Sequence, residues 1–398
     1  IVNGNYYMIS YVGTTDFTLI GAASNTIGLG FLADLTSGSA TGTGTVWDPA
    51  TPSVAACVTT TDERHVVAFG CNDAVTAALN PVDAGDFAIG TTYVISKIGT
   101  TDFTDVGAAE NVVGLTFVAA GAGTGTGQAL EVIQDPMLIA WCDQEAPKVW
   151  YPTITNTAGS YRLTYGSKII TSEKTRQEIL VWTDSALYSM QYVGTPYIYT
   201  FNPISVDVTI VSQNAMTTAT GVTYWMGQDK FYAYSGRVDT LPCALRQYVF
   251  DDINNNQWDQ VFAGTNEKYN EVWWFYPSAD SVINDRYVVY NYLEKLWYYG
   301  QLTRTAWLDS HIIGNPLGTA SNLLLEHEVG TDDGSTNPPS AMPAYIESAD
   351  FDLGDGGYQF SFVKRLIPDM DFIGSSNAAP VATITLKARN YPGQGVAG

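Results

Sequence analysis

The sequence predicts an all-β protein: a β-propeller core with two small inserted or appended β-modules and a C-terminal β-region. Three observations predict it. Short apolar runs bounded by Pro, Gly, Ser, Asn and Asp recur along the chain without a helical period, which is strand patterning. The leading tryptophans of these runs, Trp141, Trp182, Trp225 and Trp273, are spaced by 41, 43 and 48 residues, close to the roughly 40–50 residues of a four-stranded propeller blade. A unit near the N-terminus also recurs downstream. A β-sandwich with core tryptophans at similar spacing is the alternative.

Taken in order, the chain divides into a small β-module over 1–48, the start of the propeller over 49–81, a second small β-module inserted over 82–132, propeller blades over 133–339 and the C-terminal β-region over 340–398. The repeat is explicit in the residues. Tyr7 to Thr18 (YMISYVGTTDFT) matches Tyr93 to Thr104 (YVISKIGTTDFT) at an offset of 86, and 17 of 27 aligned positions from Tyr7 are identical. Each copy closes on a Gly-Thr run, Gly42 to Thr45 and Gly123 to Thr126. No Gly-Lys-Ser/Thr and no helix signal follow these runs, so they are flexible turns or strand ends and not phosphate loops. Tyr7, Ile9, Phe17 and Phe31 form the expected apolar centre of the first copy. Units of this size hold little core and lean on another surface.

The blade pattern begins at His65 to Phe69 and resumes after the second module at Met137 to Trp141, with Lys148 to Tyr151 as the expected partner strand. Tyr161 to Leu163 and Lys168 to Ile170 are short strands, and Ser172 to Arg176 reads as a polar loop. Glu178 to Trp182 pairs with Ala186 to Tyr188, and Val222 to Met226 with Phe231 to Tyr234. One short helix is expected between Asp239 and Gln260, a stretch that resembles a calcium loop only loosely. Glu271 to Tyr276, Arg286 to Asn291 and Leu296 to Tyr299 form three antiparallel strands. Beyond Trp307, strands are expected at Asn322 to Val329, Tyr345 to Phe351, Gln359 to Val363 and Val381 to Leu386.

Charge narrows the function. The chain of 398 residues carries 18 basic against 40 acidic residues, a net charge of −22. Proteins that grip phosphate backbones need clustered Lys and Arg, so nucleic-acid binding is disfavoured. A negative wall repels duplex DNA within a Debye length of roughly 8 Å and lets it slide. Cys57, Cys71, Cys142 and Cys243 lack metal or redox spacing and are read as buried reduced thiols. No apolar stretch is long enough for a transmembrane helix. The first residues already read as strand without a basic leader, so no signal peptide is expected and the chain begins partway through a longer one.

No catalytic, cofactor-binding or metal-binding residue is assigned. His65, His311 and His327 are scattered and none lies in H-E-x-x-H; G-x-S-x-G is absent. The repeated S-x-D-x-G-x-x-W turns of propeller sialidases are absent from the blades. Trp273-Trp274 and Trp297-Tyr298-Tyr299 suggest a sugar-stacking platform less readily than core and subunit contact.

The segments NTAGSYRL (156–163), EILVWTDSALYSMQYVGTPY (178–197), YWMGQDKFYAYSGRVDTLPC (224–243), NEVWWFYPSADS (270–281) and VVYNYLEKLWYYGQLTRTAWLDS (288–310) resemble the tail nozzle proteins of short-tailed bacteriophages, also described as tail tubular or packaged-DNA stabilisation proteins. The stretches YIESADFDLGDGG, RLIPDMDF and LKARNYPG are similar to the same group, so that the resemblance covers most of 54–393 outside the second module. The GTTDFT modules resemble small domains inserted in varied phage structural proteins. What the resemblance implies is a virion structural protein of the tail: a propeller-based subunit that assembles as a hexamer, a ring below portal and adaptor forming the distal channel that retains DNA and lets it pass on ejection. Its implied partners are itself, the tail adaptor, tail fibre or needle proteins and the passing double-stranded DNA, bound without specificity, with assembly in the host bacterial cytoplasm. The family supplies no catalytic motif, and neither enzyme activity nor a cofactor is expected. A host-surface glycan-binding or glycan-cleaving tail protein, acting through the GTTDFT modules, is the competing reading.

Overall fold

A computed structural model describes residues 1–36, 38–309, 314–330, 345–348, 362–373 and 379–388. The chain falls into two units, Ile1–Val329 and Gly330–Gly398. The first is almost entirely antiparallel β-structure; outside the two small modules, whose strand orders are permuted, its sheets are meanders in which chain order and spatial order coincide. The first sheet comprises Cys57–Thr60, Val66–Phe69, Leu138–Trp141 and Gly159–Arg162. The second comprises Ile169–Lys174, Ile179–Thr183, Ala186–Gly194 and Ile198–Val206, and the third Met216–Ala219, Val222–Met226, Phe231–Tyr234 and Val238–Leu241. The fourth follows with Phe262–Asn266, Glu271–Tyr276, Arg286–Asn291 and Leu296–Gln301. A fifth has three strands among the described residues, Ala306–Leu308, Leu317–Ala320 and Leu323–Glu326.

Why these segments pair is visible in their side chains. The central strands Ile179–Thr183 and Val222–Met226 are continuous runs of β-branched, aromatic and long apolar residues, buried on both faces, as strands packed between two neighbours must be. One core joins the second, third and fourth sheets and contains Trp182, Trp225 and Trp274, each fully buried. A second core joins the first sheet to the second around Phe69, Trp141, Tyr188 and Tyr199. Entry strands of successive sheets approach one another: Cys57–Thr60 lies beside Ile169–Lys174, Met216–Ala219 beside Phe262–Asn266, and Phe262–Asn266 beside Ala306–Leu308.

The tryptophan spacing needs two corrections. Trp141 lies on the third strand of its sheet, whereas Trp182, Trp225 and Trp273 lie on second strands. In the fourth sheet the residue equivalent to Trp182 and Trp225 is Trp274; Trp273 is only half-buried and turned to the other face. Side chains alternate along a strand, so a slip of one residue exchanges the faces. Lys148 to Tyr151 is not a strand. Gly159–Arg162 pairs with Leu138–Trp141 instead, because the backbone N–H groups of Trp150 and Tyr151 are already taken by the Asp48 carboxylate at 2.6 and 3.1 Å. Residues 172–174, expected in a polar loop, complete the strand Ile169–Lys174, whose alternating burial hides one face. The helical stretch before the fourth sheet is two pieces, Arg246–Asp252 and a 3-10 turn at Asn255–Gln260. Of the four thiols, Cys71 and Cys142 are buried, but Cys57 and Cys243 are only partly so.

The two GTTDFT units fold separately, each around its own apolar centre: Tyr7, Ile9, Phe17, Ile20 and Phe31 in one, Tyr93, Ile95, Phe103, Val106 and Phe117 in the other. The second lies between Val66–Phe69 and Leu138–Trp141, which nonetheless pair as neighbours. In Gly330–Gly398 the described residues carry no strand, including 345–348, 362–363 and 381–386, where strands were expected; the remaining parts of those expected strands, 349–351 and 359–361, lie outside the described residues. Within it Lys387 bonds Glu347 at 2.7 Å.

Candidate functional site

The repeated motif is the most regular polar construction in the protein. In the first module the Asp16 carboxylate accepts from the Thr18 N–H at 3.1 Å, the Thr18 hydroxyl at 2.6 Å and the Asn25 amide at 2.9 Å, while the Asn25 carbonyl accepts from the Phe17 N–H at 2.7 Å. Asp102, Thr104, Asn111 and Phe103 repeat this at 3.0, 2.6, 2.8 and 2.7 Å. These bonds hold both carboxyls below their usual range, the threonine hydroxyl first and the asparagine amide second. Each short helix ends on a glycine with positive φ, Gly21 at 101° and Gly107 at 106°, a conformation costly to any residue with a Cβ.

The Gly-Thr runs are partners of the same motif, not free turns. Thr14 and Thr43 exchange N–H to hydroxyl bonds of 3.2 Å each, and Thr100 and Thr126 do so at 3.2 and 3.1 Å. Buried Thr15 and Thr101 receive the Gly44 and Gly127 N–H groups at 2.7 and 2.8 Å. The motif's polar groups are thus engaged in folding the module.

Asp48 fastens the first module to the first sheet. Besides Trp150 and Tyr151 it takes the Ala50 N–H at 2.8 Å; burial nonetheless outweighs these bonds and raises its pKa. Tyr6 stacks on Tyr151 with ring centroids 4.3 Å apart. Between the two modules and the first sheet lies a cleft of about 730 Å³, walled mainly by aliphatic side chains such as Val46, Val94, Leu130 and Val149, with Tyr7 and Trp47 as its aromatic residues.

The two described histidines, His65 and His327, do not converge. His65 is fully buried: its Nε2 lies 3.0 Å from the Thr157 hydroxyl and its Nδ1 2.9 Å from the Tyr199 hydroxyl. Burial lowers its pKa, against opposing pulls from Glu63 and Asp143. His327 accepts from Arg304 Nε at 2.8 Å and packs on Trp307; His311 lies outside the described residues.

One pair resembles a nucleophile and its base. The Tyr234 hydroxyl donates to Glu178 Oε1 at 2.5 Å, across from the second sheet to the third, and Glu178 also receives Ser189 and, at 3.1 Å, Gln191. Burial first and the carboxylate second push the Tyr234 phenol well above its ordinary value, the wrong direction for a nucleophile. The pair ties two sheets together. The expected aromatic platform separates likewise: Trp297 packs on Phe231, Trp274 and Tyr290, while Tyr298 and Tyr299 are exposed. No group of His, Cys, Asp and Glu able to hold a metal ion occurs among the described residues.

No family model matches the chain, and no curated protein matches it. Among solved structures it is similar to Kluyvelomyces marxianus Hsv2, at 8% identity over 49% of this chain and 58% of that one, with a TM-score of 0.30. It is similar also to Kluyveromyces lactis Hsv2, at 14% identity over 47% of this chain and 53% of that one, with a TM-score of 0.28. The chain spans little more than half of those proteins, and likeness at this level carries no argument about what this one does.

Proposed function

We propose that the chain is a virion structural protein, a tail nozzle subunit of a short-tailed bacteriophage whose sheets are the blades of a propeller. Subunits close into a hexameric ring that retains packaged DNA and lets it pass, and no bond is made or broken. The carrying observation is that the segments resembling nozzle proteins are largely the strands of consecutive meanders: 178–197 spans two strands of the second sheet, 224–243 most of the third, and 270–281 with 288–310 most of the last three strands of the fourth. Entry strands lie side by side between the first and second, third and fourth, and fourth and fifth sheets, which supports reading the sheets as blades about an axis. The excess of acid is suited to a conduit, since it opposes retention of a polyanion.

For the glycan reading, the cleft beside the modules is a place to act. Its aliphatic walls offer a sugar ring little to stack on, so the conduit is preferred. The test is assembly of the purified chain, alone and with the tail adaptor, followed by sedimentation and electron microscopy, with duplex DNA and host polysaccharide as ligands. Closed rings of one symmetry that ignore both ligands are expected. A monomer that binds or shortens polysaccharide overturns the proposal.

A further inference from the structure

Beside the fifth sheet lies a cation without a counter-ion among the described residues. Arg304 precedes the strand Ala306–Leu308 and is half-buried. Its Nε donates to His327 Nε2 at 2.8 Å and its Nη1 to the Thr303 carbonyl at 2.6 Å. It forms no ion pair among the described residues. The acceptor it faces is therefore an imidazole held neutral, whose pKa burial and the adjacent guanidinium lower to about 4.

This absence stands out in a chain with 40 acidic residues. Carboxylates close by in sequence are engaged elsewhere. Asp309 accepts from the Thr265 hydroxyl at 2.6 Å and the Glu267 N–H at 3.0 Å. Glu326 accepts from Asn315 at 3.0 Å and Glu328 from Asn266 at 3.4 Å. Glu326 and Glu328 flank His327 in sequence, but the strand ends at Glu326 and Glu328 turns away with a φ of 58°.

The floor beneath the pair is also built. A Cβ at Gly318 would come within 2.8 Å of Arg304 Cδ and 2.9 Å of both Arg304 Nε and His327 Nε2. Gly318 sits in the middle strand opposite Trp307 on one side and Leu325 on the other. Trp307 forms the wall, its ring centroid 4.6 Å from that of His327 and 5.3 Å from that of Trp273.

We propose that Arg304 and His327 form a binding site for a tetrahedral oxyanion, phosphate or sulfate, over Gly318 and against Trp307. A partly desolvated guanidinium is costly unless a counter-charge or further acceptors satisfy it. Its remaining N–H groups present the planar fork that matches oxyanions. An anion that draws the guanidinium off His327 Nε2 frees that nitrogen and offsets the Arg304 charge, so the imidazole can take up a proton there and become a second donor. Binding the anion and protonating His327 are thus linked, and each favours the other. The site does not depend on the ring proposed above.

The test is an NMR titration of His327 in the whole chain, in sodium sulfate and in sodium chloride at equal ionic strength. Sulfate is expected to raise the His327 pKa by about one pH unit, as an opposite charge in contact does. Arg304→Gln removes the difference between the two salts; Arg304→Lys, which keeps the charge but loses the fork, restores it in part; Gly318→Ala weakens it. Inorganic phosphate and glycerol phosphate added in turn distinguish a free ion from a phosphate ester, and binding of either supports the site. Identical His327 titrations in sulfate and chloride overturn it, as does a sulfate effect that survives Arg304→Gln.

Discussion

A buried indole acts through its area and through one N–H that needs an acceptor. Trp225 Nε1 donates to the Thr209 carbonyl and Trp274 Nε1 to the Ala215 carbonyl, each at 3.1 Å, so each ring also fixes the chain leading into the third sheet. Truncation of Trp274 to Ala is expected to cost about 3–5 kcal/mol, and Trp273→Ala clearly less, since Trp273 is only half-buried; urea denaturation of the two variants checks the order. His65 makes a different prediction. Its folded-state pKa lies below the unfolded value, so on acidification the unfolded chain takes the proton first, and stability falls as pH drops beneath about 6.5. Thermal unfolding between pH 7 and pH 5 is expected to show that loss in the wild type and a flatter slope in His65→Gln. An unchanged slope would assign the acid sensitivity to groups other than His65; Asp48 and Glu173 are not among them, since their raised pKa values make stability rise on acidification.

At the scale of elements, each GTTDFT unit is a turn tied on itself. The Asp-Thr-Asn triangle caps one short helix, and the reciprocal threonine bonds close the chain's return. Both halves of the repeat were legible as repetition, but not as partners, because Thr14 and Thr43 are separated by a loop whose closure no local pattern reports. Asp102→Ala is expected to raise hydrogen exchange across Phe103–Val106 and the strand Thr116–Val118 while leaving the third and fourth sheets as protected as before. Exchange spreading equally to those sheets would show that the module is not an independent folding unit. The meander strands were legible for a different reason. Each lies between turn residues and carries its own β-branched and aromatic run, and sequential pairing needs only a short connection. Lys148 to Tyr151 was misread because its apolar run resembles a strand, while the group that occupies its backbone, Asp48, comes from a distant part of the chain.

Across the whole molecule the second, third and fourth sheets share one core, so damage in any of them is felt in the other two. Association is where the acidic excess matters. Charges on a conduit wall act on DNA over a Debye length of about 8 Å at physiological salt, so the expected indifference to duplex DNA holds most strongly at low salt. Retention on DNA there would contradict the conduit. The sequence by itself determined that the protein is β-structured, that its sheets form from neighbouring strands, and that a small unit occurs twice. Those properties follow from local alternation, turn residues and identity between segments. Only the tertiary structure decided which of two adjacent tryptophans enters the core, which carboxylate fastens a module to a sheet, and that Arg304 faces an imidazole instead of an acid. These depend on contacts between residues remote in sequence, where no periodicity of the chain records which partner arrives.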